Sequence, residues 1–145
     1  MAYSIHELHP SDFSSLIKSH VAVFNGSPRL SEDFLSSLHQ QGRLRVTGLL
    51  PKQGDLYPAF LIAQTLGEQS EILDLAVLAS FRRQGLARLL LNDLQAEGRE
   101  ILLEVRADNQ PALQFYAAQG FVKTRRRQGY YQDGCDALEM SWQAD

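Results

Sequence analysis

Cysteine is almost absent from this 145-residue chain, and the single Cys135 excludes an intrachain disulfide. His6, His9, His20 and His39 follow no ligand spacing, so no zinc site is indicated, and each is expected at the surface or at the edge of a core. No histidine lies near Cys135 in sequence, which leaves a nucleophilic role for it unsupported. Long apolar runs are missing too. None approaches the roughly 20 residues of a membrane span, and polar residues at His6 and Glu7 leave no visible signal peptide. A cytoplasmic protein without membrane contact is expected. Positive charge is not in excess: the formal net charge of −3 argues against general nucleic-acid binding, which needs a basic stripe over a whole face. Arg125, Arg126 and Arg127 are the local exception. On a strand, alternate members of such a run point to opposite faces, so a solvated edge strand is expected there. Neither G-x-G-x-x-G nor a Gly-Lys-Ser/Thr ending occurs, so dinucleotide and nucleoside-triphosphate folds are not indicated.

What is present is an ordinary globular composition, 44% hydrophobic and 21% charged, of a length that suits one domain over residues 1–145. Its central stretch, Ile72 to Leu94, joins a strand to a helix. Leu73, Leu75 and Val77 alternate with Asp74 and Ala76 at the strand period. Leu86, Leu89, Leu90 and Leu94 recur at helical steps from about Gly85 onward. The turn between them is Arg82-Arg83-Gln84-Gly85-Leu86-Ala87. The first amides of a helix have no intrahelical acceptor, so a small-residue turn entering one presents free donors to an anion. Arg82, Arg83 and Arg88 add charge-assisted donors. A plain connection with exposed arginines is the alternative reading of the same residues.

In chain order, Tyr3 to His9 suggests a strand, and Ser11 caps a helix carrying Phe13, Leu16, Ile17, Val21 and Phe24 up to the breaker Asn25–Arg29. Ser31 caps a second helix that Gly42 closes. Arg43–Leu50 and Leu56–Leu66 read as strands around a Pro-Lys-Gln-Gly-Asp turn, with Pro58 making the start of the second irregular. After the central helix, Gly98 is a stop and Ile101–Arg106 suits a buried parallel strand. Asp108 or Asn109 caps a last helix that ends at Gly120, and Phe121–Arg127 and Asp136–Trp142 close the chain as an antiparallel pair. The order β-α-α-β-β-β-α-β-α-β-β predicts an α/β fold with a mixed central sheet and flanking helices.

Arg82, Gly85 and Ala87 fill the pattern Q/R-x-x-G-x-G/A, and the whole chain resembles the GCN5-related N-acetyltransferases (GNAT). The later segments AVLASFRRQGLAR, LLEVRADNQPALQFYAAQGF and RRRQGYYQDG resemble, in order, the bacterial ribosomal-protein-alanine branch of that family. The resemblance implies a cofactor, acetyl-CoA, with its pantetheine arm beside Leu75, Ala76 and Val77, its pyrophosphate on Arg82, Arg83, Gln84, Gly85, Leu86, Ala87 and Arg88, and a further contact at Asn109. No metal is implied. It makes Glu104 the candidate base and Tyr116 the candidate acid, and matches Tyr130 and Tyr131 to a paired-tyrosine loop. Read from the residues alone, Glu104 could instead pair with Arg106 on the same strand face, and Tyr116 could be a core tyrosine. The implied partner is a protein N-terminus, the alanine of a small-subunit ribosomal protein. An α-amino group, with a pKa of about 7.7 to 8.0, needs far less help to deprotonate than lysine near 10.4. Leu78 and Ala79 stand where the family commonly has an acidic-proline pair, a tolerable change, whereas the short central helix and Leu30, where tryptophan is frequent, leave the acceptor open between that N-terminus and a lysine or small amine. A noncatalytic acyl-CoA-binding module is the alternative from another class.

Overall fold

The computed structural model describes residues 3–24, 31–50, 54 and 56–145. The expected helix stop at Asn25–Arg29, Leu30, and most of the turn between the second and third strands lie outside the described residues.

Among the described residues the element order is β1 (Ile5–Glu7), α1 (Phe13–Phe24), α2 (Glu32–Gln40), β2 (Leu44–Leu49), β3 (Ala59–Leu66), β4 (Gln69–Val77), α3 (Leu86–Gln95), β5 (Glu100–Arg106), α4 (Gln110–Ala118), β6 (Val122–Arg127) and β7 (Ala137–Trp142). This is the expected order, with single 3-10 turns added at Pro10–Asp12 and Ala79–Phe81. The seven strands form one sheet in the order β1-β2-β3-β4-β5-β7-β6. β4 and β5 are its parallel neighbours, and the other pairs are antiparallel.

Local chemistry accounts for most boundaries. Ser31 Oγ accepts the Phe34 amide at 3.1 Å and starts α2. Asn109 Oδ1 accepts the Ala112 amide at 3.2 Å, so Asn109, not Asp108, caps α4. Ser11 does not cap α1. The chain enters through the 3-10 turn instead, with Asp12 accepting the His9 amide at 3.0 Å. Pro58 has no N–H to give a ladder, and β3 starts directly after it. The arginine run lies on β6, the edge strand, and is exposed except at half-buried Arg127, as the solvated-edge reading predicts.

Two apolar clusters sandwich the sheet. On one face Leu90, Leu91 and Leu94 of α3 and Leu113 and Tyr116 of α4 pack on Ile101, Leu103 and Met140. On the other, Phe13 and Leu16 of α1 and Leu35 of α2 pack on Val46, Phe60 and Ile62. No residue of β5, β6 or β7 belongs to that second cluster, so among the described residues α1 and α2 do not cover the far half of the sheet on that side. Two expectations change here. The buried stripe of α3 is Leu86, Leu90, Leu91 and Leu94, whereas Leu89 is 37% exposed. In β4 the register slips: Ile62 faces Asp74 and Ala63 faces Ile72, which makes Leu73 the extra residue of a β-bulge. Leu73 therefore packs with the α1 side while Leu75 and Val77 pack with the α3 side, and the simple alternation of Leu73 with Leu75 and Val77 is lost.

The two leucines of α3 are separable by experiment. Leu91→Ala should lower the free energy of unfolding in urea by about 2–5 kcal/mol. Leu89→Ala should stay within roughly 0.5 kcal/mol of the parent.

Candidate functional site

β4 and β5 stay together for three residue pairs only, Gln69↔Glu100, Ser70↔Ile101 and Glu71↔Leu102. Beyond them β4 follows β3 as far as Val77, and β5 follows β7 as far as Arg106. A gap opens between two parallel strands, starting at the bulge. The Leu78 amide donates to the Pro58 carbonyl at 2.9 Å, toward β3. Peptide groups alternate along a strand, so those of Leu75 and Val77 point the other way, into the gap. One of them has a partner: Arg82 Nε donates to the Val77 carbonyl at 3.3 Å. Ala76 is buried on the α1 side, so its side chain closes the floor while the backbone on either side of it meets the gap.

The gap widens into a connected groove. A cavity of about 600 Å³ runs past Val77, Arg82, Arg83, Ala87, Phe115 and Tyr116. It shares Leu75, Ala112 and Tyr116 with a cleft of about 400 Å³ that reaches Glu104, Asn109 and Tyr131. That cleft in turn meets a smaller opening lined by Glu71, Leu73, Glu104, Tyr130 and Tyr131. The sheet is thereby crossed from the arginine turn on one side to the tyrosine pair on the other.

At the arginine end, Gly85 precedes α3 with φ 73° and ψ 21°, and no side chain caps the helix. Glycine takes this left-handed conformation without strain. Arg83, at φ 65°, is the one non-glycine residue with positive φ among the described residues, a mildly strained geometry that recurs at ligand clamps. The first bond of the helix runs from the Leu89 amide to the Gly85 carbonyl at 3.0 Å, so the amides of Leu86, Ala87 and Arg88 have no helical acceptor. A Cβ built on Gly85 would meet nothing within 4 Å: the space ahead of the turn is open. Arg82, Arg83, Gly85, Leu86, Ala87 and Arg88 all line one small cavity there. The Leu86 side chain is buried in the core, so only its backbone is on offer. The Gln84 side chain is turned elsewhere and accepts the Tyr3 hydroxyl at 3.5 Å. An open anion cradle continuous with an unpaired strand edge fits a ligand with a phosphate end and an amide-bearing arm.

At the centre, Tyr116 is 9% exposed and sits edge-on to Phe115 and Phe121. Burial, with a smaller contribution from the Asp74 charge, pushes its phenol well above the ordinary value of 10. It is therefore both a core tyrosine and a groove-lining donor. Asp74 was not expected here. It is buried at the bulge, with its Oδ2 3.2 Å from His20 Nε2 of α1, which corrects the surface or core-edge placement of that histidine. The bulge that carries Asp74 into the interior has no signature in a period-2 pattern.

Glu104 does not pair with Arg106. Its Oε1 lies 3.4 Å from Arg127 Nε, while Arg106 binds Asp108 at 3.1 Å and Asp133 at 2.7 Å. Hydrogen bonds from Arg106 hold the carboxyls of Asp108 and Asp133 below the usual carboxylate range. The Gly129 amide and then Arg126 do the same for Asp136. These bonds tie down the β6–β7 loop. The Arg106 guanidinium lies over the Tyr131 ring at 5.0 Å, and a hydrogen bond to Glu104, with its charge, raises the Tyr130 phenol above its ordinary value. The Asn109 side chain divides its work, its carbonyl capping α4 while the residue lines the cleft. Among the described residues no group of three His, Cys, Asp or Glu side chains is arranged to hold a metal ion. No described helix is long and apolar enough to cross a membrane.

Known proteins resemble this chain in sequence and fold. The N-alpha-acetyltransferase of Saccharolobus solfataricus is 40% identical over 85 residues, covering 53% of this chain and 50% of that protein. The chain spans about half the length of the curated relatives it matches first. The crystal structure of the ribosomal-protein-S18-alanine N-acetyltransferase from Escherichia coli superposes with a TM-score of 0.83 at 29% identity, over 98% of this chain and 94% of that one. Arabidopsis thaliana NAA60 in complex with acetyl-CoA has the same fold, with a TM-score of 0.83, 20% identity and 98% of each chain covered. Residues 60–144, more than half of the sequence and all of the groove's β4, α3, β5 and α4, match the acetyltransferase (GNAT) domain, and the chain belongs to that family.

Proposed function

We propose that the protein is an N-terminal acetyltransferase of the cytoplasm that moves acetyl from acetyl-CoA directly to an α-amine, the N-terminal alanine of a ribosomal protein. The observation that carries this reading is the single groove joining an anion cradle, a free strand edge, Tyr116 and Glu104. The names of the relatives support the choice of an α-amine and of a ribosomal protein.

Acetyl-CoA supplies an activated acetyl group whose leaving atom is a thiolate. Arg82, Arg83, Arg88 and the amides from Gly85 to Arg88 would hold its phosphates, and Leu75, Ala76 and Val77 its arm, with Asn109 across the gap. The Val77 N–H faces the gap and serves as a donor to the carbonyl oxygen that gains negative charge. Glu104 takes the amine proton, directly or through water. An α-ammonium with a pKa of about 8 is partly neutral at pH 7 already, so a carboxylate needs to remove only the last proton as the bond forms. Tyr116 stays a neutral phenol at every working pH because its environment disfavours the phenolate. A phenol that weak is a poor source of a free proton, and its role is to hydrogen-bond the departing sulfur while the charge develops.

Three expected outcomes follow from these roles. Glu104→Gln should lower kcat by about 100-fold at pH 7 while leaving the KM for acetyl-CoA within about twofold, and the deficit should shrink toward pH 9 as the amine deprotonates unaided. Equal activity of variant and parent across that range excludes Glu104. Replacing Tyr116 by Phe should cost kcat about 100-fold, and the parent should show no alkaline loss of activity below pH about 10, since a raised phenol keeps its proton there. An alkaline limb near pH 8 that vanishes in the Phe variant would contradict this. Finally, an Ala-initiated peptide should be acetylated and its N-terminally blocked counterpart carrying lysine should not, as read by mass spectrometry. The reverse preference selects the lysine or small-amine reading. Acetyl-CoA binding by calorimetry without acetylation of any amine selects the noncatalytic module.

A further inference from the structure

Glu104 of β5 stands directly opposite Glu139 of β7 in the antiparallel register. Two like charges at facing positions repel, and a sheet that keeps them must answer that repulsion. The answer comes from the arginine run of the edge strand. Arg127 places Nε 3.4 Å from Glu104 Oε1 and Nη2 3.9 Å from Glu139 Oε2. One guanidinium thus stands within ion-pair distance of both carboxylates, without a hydrogen bond at its Nε among the described residues, and its central carbon lies over the Tyr130 ring at 5.7 Å. Two other arginines of the region are engaged elsewhere, Arg126 with Asp136 at 2.6 Å and Arg106 with Asp108 and Asp133, while Arg125 stands opposite Glu139 in the β6–β7 register and is common to every variant below. Glu139 has a second anchor in Thr124, whose hydroxyl donates to its Oε1 at 3.1 Å. Glu104 raises the phenol of Tyr130 above its ordinary value, and both line one opening. The cluster lies on the half of the sheet that α1 and α2 leave uncovered, with the three charged side chains about one quarter to one third exposed.

We propose that Arg127 and Glu139 are positioning residues for Glu104, the Arg127 guanidinium holding its carboxylate at the groove and the facing Glu139 carboxylate competing for that guanidinium. The inference rests on the reading of Glu104 as the group that takes the amine proton. The pair works through charge. A cation beside a carboxylate favours the anion, and a second carboxylate beside it favours the proton. The remaining groups facing Glu104 are Tyr130 and Tyr131 from the β6–β7 loop, Glu71 and Asp74 from β4, Arg106 from β5 itself and Tyr116 from α4. These are common to every variant below, so differences between variants report Arg127 and Glu139 alone. An arriving α-ammonium would meet a carboxylate already held at the groove by one guanidinium.

The test uses Arg127→Met, Arg127→Lys and Glu139→Gln in the full chain, with two readouts. One is the acid limb of kcat/KM for an Ala-initiated peptide. The other is the carboxyl carbon-13 titration of Glu104 without substrates, assigned by its disappearance in Glu104→Gln. Both midpoints should move up by about half a pH unit in Arg127→Met, return toward the parent in Arg127→Lys, and move down by a similar amount in Glu139→Gln, the size expected of a partly exposed ion pair. Opposite signs for the two charge removals are something a merely structural role would not produce. Should Arg127→Met fail to fold, Glu139→Gln still carries the test. Coincident titrations in all folded variants would overturn the proposal. Carbon-13 midpoints that move as expected while no amine is acetylated uphold the action of Arg127 and Glu139 on Glu104 and overturn the transferase reading instead.

Discussion

The loss of the β4–β5 ladder after three residue pairs is the constraint on which the site depends. A parallel pair in the middle of a sheet is ordinarily bonded along its whole length, because buried N–H and C=O groups left without partners cost free energy. Here the two strands are pulled apart by their other neighbours: β3 keeps β4 and β7 keeps β5. The bulge at Leu73 adds twist to β4 where the separation begins. The peptide groups of Leu75 and Val77 are left facing a gap that α4 roofs with Ala112, Phe115 and Tyr116. An extended ligand bearing amides can complete that ladder, and the proposed function gives that place to the arm of acetyl-CoA.

Packing on the two faces holds the gap open. The leucines of α3 and the aromatic cluster Phe115, Tyr116 and Phe121 clamp the strands from one side. Each fully buried leucine there contributes on the order of 1.5–3 kcal/mol. From the other side α1 reaches the bulge itself through His20 and Asp74, a buried polar contact across 54 residues of chain. That contact places a carboxylate near the phenol of Tyr116 without exposing either to bulk water, and so the hydrogen-bond donor of the groove is kept in its neutral form by the same packing that shapes the groove.

The sequence was informative where a feature depends on residues close together in the chain. The turn from Arg82 to Arg88, the cap at Asn109, the stops at Gly98 and Gly120 and the order of strands and helices all express local rules of turn chemistry and periodicity, and they lie where those rules put them. What escaped is what depends on register between distant strands. Leu73 and Asp74 look like consecutive members of an alternating strand until the partner strand shows a slip. The Glu104–Arg106 pair is plausible from a two-residue spacing on one face. It fails because Arg106 has two aspartates within reach, and because β6, on the far side of α4 in the chain, delivers Arg127 to the same carboxylate.

This division follows the two ends of the groove. The arginine end is made of backbone amides and a glycine turn within seven consecutive residues, so a short motif is enough to specify it and to mark it. The far end is assembled from side chains of β4, β5, β6 and the β6–β7 loop, with Glu71, Glu104, Arg127, Tyr130 and Tyr131 brought together only by the sheet. A substitution at the first end alters one peptide segment, whereas a substitution at the second changes a charge balance shared by three strands. Under the proposed function, the donor end is therefore the part that a single substitution can adjust least. The proposed acceptor end can be altered one side chain at a time while the glycine turn, the splayed strands and the two cores that hold them stay as they are.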